Sequence, residues 1–191
     1  MSVRARIEDA EVLWKAGRLE GAVIQVLIAV GATVRKRYPK PMGDNKAFKQ
    51  FIHDEIAKIT NGPTTNVDFY YDGKHHVGVE DIIYKFIRCN LVHEGKLPET
   101  IVFTQPVVGD GSPVGRYDGK LFNKLALHDV MGFPIGWIWN FVRVVAEAPE
   151  NKGEFSDGFY PIPDGYSVSA GFQLDCPDEH PDRFPPNAPP R

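Results

Sequence analysis

The sequence predicts a mainly α-helical fold, a helical bundle with a small β-hairpin insertion and an extended, proline-rich C-terminal arm. Three observations predict it. Apolar residues recur at spacings of three and four in the first 60 residues, in 79–94 and in 135–146; glycine-centred turn signals gather between 100 and 128; and 9 of the 16 prolines lie in 149–191. The chain divides accordingly into a helical domain, 1–148, and an acidic tail, 149–191.

The first helix is expected over Arg4 to Lys15, polar and rich in helix formers, with Gly17 as the break. A second runs from Leu19 to Arg37, where Val23, Val26, Leu27, Val30 and Val34 form a core-facing stripe and Tyr38-Pro39-Lys40-Pro41 stops it. Asp44 is placed to cap a third, which carries Ala47, Phe48, Phe51, Ile52, Ile56 and Ile59 and ends at Asn61-Gly62-Pro63. Thr64 to Gly78 reads as a loop.

A fourth helix is expected over Val79 to Glu94. At regular α-helical spacing its stripe reads Val79, Ile82, Ile83, Phe86 and Ile87, and the next positions on that face are Asn90 and His93. Polar side chains have replaced apolar ones there, and a polar group in a buried stripe is costly unless paired, so the stripe should open onto a cleft, a partner or an internal hydrogen-bond network. Arg88 lies about 140° around the helix from His93 at α-helical pitch. Gly95 and Pro98 end the helix and leave His93 in its last turn.

Thr100 to Phe103 reads as a short strand, and Val114 to Tyr117 with Lys120 to Leu127 as a hairpin around Asp118-Gly119. Gly115 to Lys120 superficially resembles a phosphate loop, but Leu121 follows where Ser or Thr is needed. Pro134 is expected as the first residue of a closing helix over Ile135 to Ala146, terminated by Pro149. In the tail, 149–176 reads as an arm lying on the domain or on a partner, because its aromatics Phe155, Phe159, Tyr160, Tyr166 and Phe172 need somewhere to dock; 177–191 is expected to be disordered.

Composition narrows the function. With 191 residues, 42% hydrophobic, 25% charged and a net charge of -3, the chain is of ordinary globular type. No apolar run is long enough to span a membrane, the two cysteines make no disulfide scaffold, and Met1 to Glu11 lacks the apolar stretch of a secretory signal, so a cytoplasmic protein is expected. His53, His75-His76 and His128-Asp129 lack metal-site spacing and Cys89 stands far from Cys176, so neither metal nor cofactor is expected. Charge is uneven: residues 1–60 hold 11 Lys and Arg against 7 Asp and Glu, whereas 149–191 hold 3 against 8. Arg35, Lys36, Arg37 and Lys40 form a basic cluster able to attract RNA phosphates, although a basic helix end complementing its own dipole is the commoner explanation.

The stretch from Leu13 reading LWKAGRLEGAVIQVLIAVGATVRKRYP, the Phe-rich helix after it and the segment IRCNLVHEGKLP together resemble the HEPN superfamily over roughly residues 1–148. Its signature, an Arg, four to six residues and a His near a helix end, maps onto Arg88 and His93; Cys89 stands where the family commonly has a polar residue, and Asn90 follows it. The resemblance implies an up-and-down bundle that dimerises and brings two Arg–His pairs into one composite cleft, and many relatives are metal-independent endoribonucleases of toxin or defence systems. It implies His93 as general acid or base, Arg88 as phosphate clamp and Asn90 as an orienting partner. A homodimer, an RNA or nucleotide ligand and an antitoxin protein are the partners implied. The alternative is a non-catalytic dimeric module that binds a nucleotide or a protein, with Asn90 and His93 merely satisfying a helix end.

Overall fold

The computed structural model describes residues 2–60, 68–71, 75–106, 115–117, 120–122, 126–127 and 130–158; over 68–77 and 104–131 the course of the backbone alone is described. Its centre is helical, and no helix among the described residues is long and apolar enough to cross a membrane.

Helices α1 (Val3–Lys15) and α2 (Leu19–Arg37) form a hairpin. Ser2 caps α1 by accepting the Ala5 N–H at 3.2 Å, and Gly17 turns the chain at φ +73°, a left-handed conformation that favours glycine. Val3, Ile7 and Ala10 of α1 are buried, as are the stripe residues of α2. The third helix is divided at Glu55 into α3 (Asp44–Asp54) and α4 (Ile56–Thr60). Gly43, rather than Asp44, is the capping residue, so Asp44 lies in the first turn with its carboxylate free to face another helix.

The fourth helix runs over 79–93 (α5) and departs from α geometry. A turn Val79–Asp81 leads into a π-helical stretch, Ile82–Cys89, and an α turn, Asn90–His93, closes it. The expected stripe residues Val79, Ile82, Ile83 and Ile87 are buried, but its continuation onto Asn90 and His93 is overturned. Successive steps of four residues advance by about 40° on an α-helix but fall short of a full turn on the wider π turn, so the opposite drifts of the α and π segments offset each other and Val79, Ile83, Ile87 and Leu91 share the buried face. The stripe passes to Leu91, and His93 is exposed.

The closing helix α6 (Trp137–Glu147) buries residues on nearly every side, among them Ile138, Trp139, Phe141, Val142, Val144 and Val145, and packs against α2 and α4. It also satisfies the end of α4: the Asn140 amide donates to the Ile59 carbonyl at 2.7 Å and Arg143 to that of Lys58 at 2.9 Å.

Two sheets flank the helices. Strands β1 (Asp68–Tyr71) and β2 (His75–Gly78) form an antiparallel hairpin where a loop was expected. The second sheet is ordered β5-β4-β3-β7-β6, from β3 (Ile101–Pro106), β4 (Gly115–Tyr117), β5 (Lys120–Phe122), β6 (Ala126–Leu127) and β7 (Val130–Pro134). The β4–β5 hairpin matches expectation, with Arg116 opposite Leu121. Leu127 instead pairs with Val130, and Pro134 ends a strand parallel to β3 rather than opening the helix, which begins three residues later at Trp137. Phe133 of that strand is buried and packs edge-on to Trp137, which explains its apolar run.

After Ala148 the chain does not stay extended. Pro149–Asn151 is a turn of 3-10 helix, and Asn151 and Phe155 are buried against the helices. The rest of the expected arm, 159–176, and the tail 177–191 lie outside the described residues.

Candidate functional site

Arg88 is the next-to-last residue of the π-helical stretch, where α2, α3 and α5 meet. Its guanidinium carbon lies 5.0 Å from the centre of the Phe48 ring and 5.3 Å from that of Tyr84, rings that are themselves 5.5 Å apart, so two aromatic faces hold the cation. One guanidinium nitrogen approaches the Asp44 carboxylate at 3.4 Å, and the other is close enough to Gly31 that a β-carbon there would stand 3.8 Å from it. The side chain remains 24% exposed. Beside it Lys49 of α3 pairs with Asp81 of α5.

Asn90 is directed back along its own helix. Its amide donates to the carbonyls of Lys85 at 3.1 Å and Phe86 at 3.0 Å, acceptors that a change from π to α pairing leaves in need of a donor. His93 is exposed in the last turn, with no hydrogen bond or ion pair among the described residues, and Val92 next to it is 51% exposed. Among the described residues no hydrogen bond or ion pair joins Arg88 to His93.

The basic cluster is dispersed by the fold. Arg37 is held by Glu55 at 2.7 Å and Glu150 at 2.8 Å and lies 4.6 Å over the Phe51 ring. Burial works against its charge, but the hydrogen bonds from it to Glu150 and Glu55 outweigh that and raise its pKa above the usual arginine value. Lys36 donates to Asn151 and to Glu154, both at 2.8 Å. Arg35 pairs with Asp44 at 2.8 Å and donates to the Met42 carbonyl at 3.1 Å. Lys40 is exposed in the turn after α2. The tail supplies part of this pairing, since Glu150, Glu154 and Asp157 bind Arg37, Lys36 and Arg4.

Sequence reasoning did not find the aromatic cradle or the second role of Asp44. Tyr84 stands four residues before Arg88, a spacing that brings side chains together on a helix, and was the available signal. Phe48 and Asp44 come from another helix, for which no local spacing speaks. Among the described residues no group of three or more His, Cys, Asp or Glu gathers as a metal site would require.

A family model, Rv1289, matches residues 2–170. No curated protein and no solved structure matches the chain.

Proposed function

The chain belongs to the Rv1289 family, and from Arg88 and His93 on one helix we propose that it is a metal-independent ribonuclease of HEPN type that acts as a homodimer. The observation that carries the reading is His93, exposed and without a partner among the described residues, in the turn that follows an arginine fixed between two rings. In such a site His93 takes the proton of a ribose 2′-hydroxyl, the oxygen attacks the adjacent phosphorus, and the bond to the 5′-oxygen breaks. The leaving oxygen takes up a proton from an imidazolium, and a 2′,3′-cyclic phosphate and a 5′-hydroxyl result. Arg88 stabilises the charge that builds on the phosphoryl oxygens. Two-fold pairing supplies the second imidazole, and the exposed Val92 gives that interface an apolar contact beside His93. A toxin or defence role restrained by an antitoxin follows from the same resemblance.

A second reading, a non-catalytic dimeric module that binds a nucleotide or a protein, is favoured by the engagement of Arg88 with Asp44 and of the Asn90 amide with the helix backbone. The deciding experiment is cleavage of a labelled mixed-sequence RNA by purified protein in excess EDTA, with His93→Ala and Arg88→Lys in parallel. Cleavage by the wild type that both variants lose supports the ribonuclease. A folded wild-type dimer that leaves the RNA intact supports the binding module.

A further inference from the structure

One carboxylate is shared by two arginines. Asp44 Oδ1 accepts from Arg35 at 2.8 Å, and Oδ2 lies 3.4 Å from Arg88, so the cluster carries one positive charge more than it neutralises. Each cation is also held by a contact that does not involve Asp44: Arg88 by the Phe48 and Tyr84 rings, Arg35 by the Met42 carbonyl. Removing the carboxylate would leave the two guanidiniums in place, aimed at the space between them. Asp44 is half-exposed, at 39%, and free to swing outward, in contrast to Glu55, which is 11% exposed and holds both Arg37 and Lys58.

We propose that Arg35 and Arg88 form a clamp for a backbone phosphate of an RNA strand, and that Asp44 is an internal competitor that occupies the clamp until the strand displaces it. A phosphate presents pairs of oxygens to two guanidiniums as a carboxylate does, with more charge to share between them. Of the three basic residues that end α2, Arg35 is then the one that takes part, since Lys36 and Arg37 are neutralised by Glu154 and Glu150 of the chain after α6 and by Glu55 between α3 and α4. The inference borrows the ligand class from the proposed ribonuclease but concerns binding, not cleavage.

The test uses full-length protein and a fluorescent single-stranded 2′-O-methyl RNA, which has no 2′-hydroxyl to attack, with affinity read by anisotropy at low salt. Asp44→Asn, isosteric but uncharged, should tighten binding roughly 3- to 10-fold. Arg35→Gln should weaken it and take about one from the slope of log affinity against log salt. Asp9→Asn, which removes a carboxylate paired with Arg6 on α1, should change little. The proposal is overturned if Asp44→Asn binds no more tightly than the wild type, if Asp9→Asn tightens binding as much, or if no variant binds. Tighter binding by Asp44→Asn in a protein that does not cleave RNA would keep the clamp and remove the ribonuclease reading.

Discussion

The Asn151 amide donates a 2.8 Å hydrogen bond to the Thr33 hydroxyl, joining the turn after α6 to the middle of α2. The same amide donates to the Val145 carbonyl at 2.8 Å, its oxygen accepts from Lys36, and the Thr33 hydroxyl donates in turn to the Ala29 carbonyl. Each polar group in this buried network therefore has a partner, the condition under which such a network stabilises a fold. Asn151→Ala should cost about 2 to 3 kcal/mol in urea unfolding, since it leaves the Val145 carbonyl without that donor. Combined with Thr33→Val the loss should fall short of the sum, and simple additivity would show that the two side chains do not act together.

Acid should loosen the same attachment. Burial pushes the Glu154 carboxyl up, but hydrogen bonds from Lys36, the Arg4 backbone N–H and Ser2 outweigh it and hold the pKa at about 2, against an ordinary value of 4.5. A carboxyl held low in the folded state stabilises above its unfolded pKa and ceases to do so as pH falls from about 4.5 to about 2. The stability at neutral pH that depends on this group is about 1 to 2 kcal/mol, allowing for solvent screening of a partly exposed pair. Wild type should thus lose more stability than Glu154→Gln between pH 5 and pH 3, and parallel curves would remove the role assigned to this carboxylate.

Much of the fold is legible in the sequence because its signals are local. The helix boundaries at Lys15 and Arg37 follow from Gly17 and from the prolines after Tyr38, and the β4–β5 hairpin follows from Asp118-Gly119. What fails is non-local. The strand Val130–Pro134 is specified by a partner, Ile101–Thr104, about thirty positions earlier, and nothing in its own composition separates it from the start of a helix. The end of the α5 stripe fails for a related reason: whether Leu91 or Asn90 and His93 continue the face of Val79, Ile83 and Ile87 depends on hydrogen-bond pairing, and the apolar pattern fits both pitches. The candidate site is legible as residue types on one helix, whereas the cradle of Arg88 is built by α3.

The π-helical stretch should depend on Asn90. Its amide supplies donors to the Lys85 and Phe86 carbonyls, so Asn90→Ala should free them and loosen the helix between Ile82 and Cys89. Cys89, half-buried at the end of this stretch, offers a readout that requires no activity. In a Cys176→Ser background, thiol alkylation at Cys89 should run several-fold faster in Asn90→Ala, following the added population of the open form. An unchanged rate would mean that neighbouring packing, chiefly Ile83 and Ile87, sets the π pitch by itself.

Arg88 and His93 should separate in stability although the proposed chemistry needs both. His93 is exposed and touches no partner among the described residues, so His93→Ala should alter stability by no more than about 0.5 kcal/mol. Arg88→Ala removes the contacts with Phe48 and Tyr84 and the approach to Asp44, and should cost about 1 to 2 kcal/mol. Arg88→Lys keeps the charge but not the planar face that lies on both rings, and should fall between the two. Thermal unfolding of the three variants checks the order. A His93→Ala protein as destabilised as Arg88→Ala would show that His93 has a structural partner, and its loss of cleavage would no longer point to proton transfer; the predicted order leaves the imidazole free for that work.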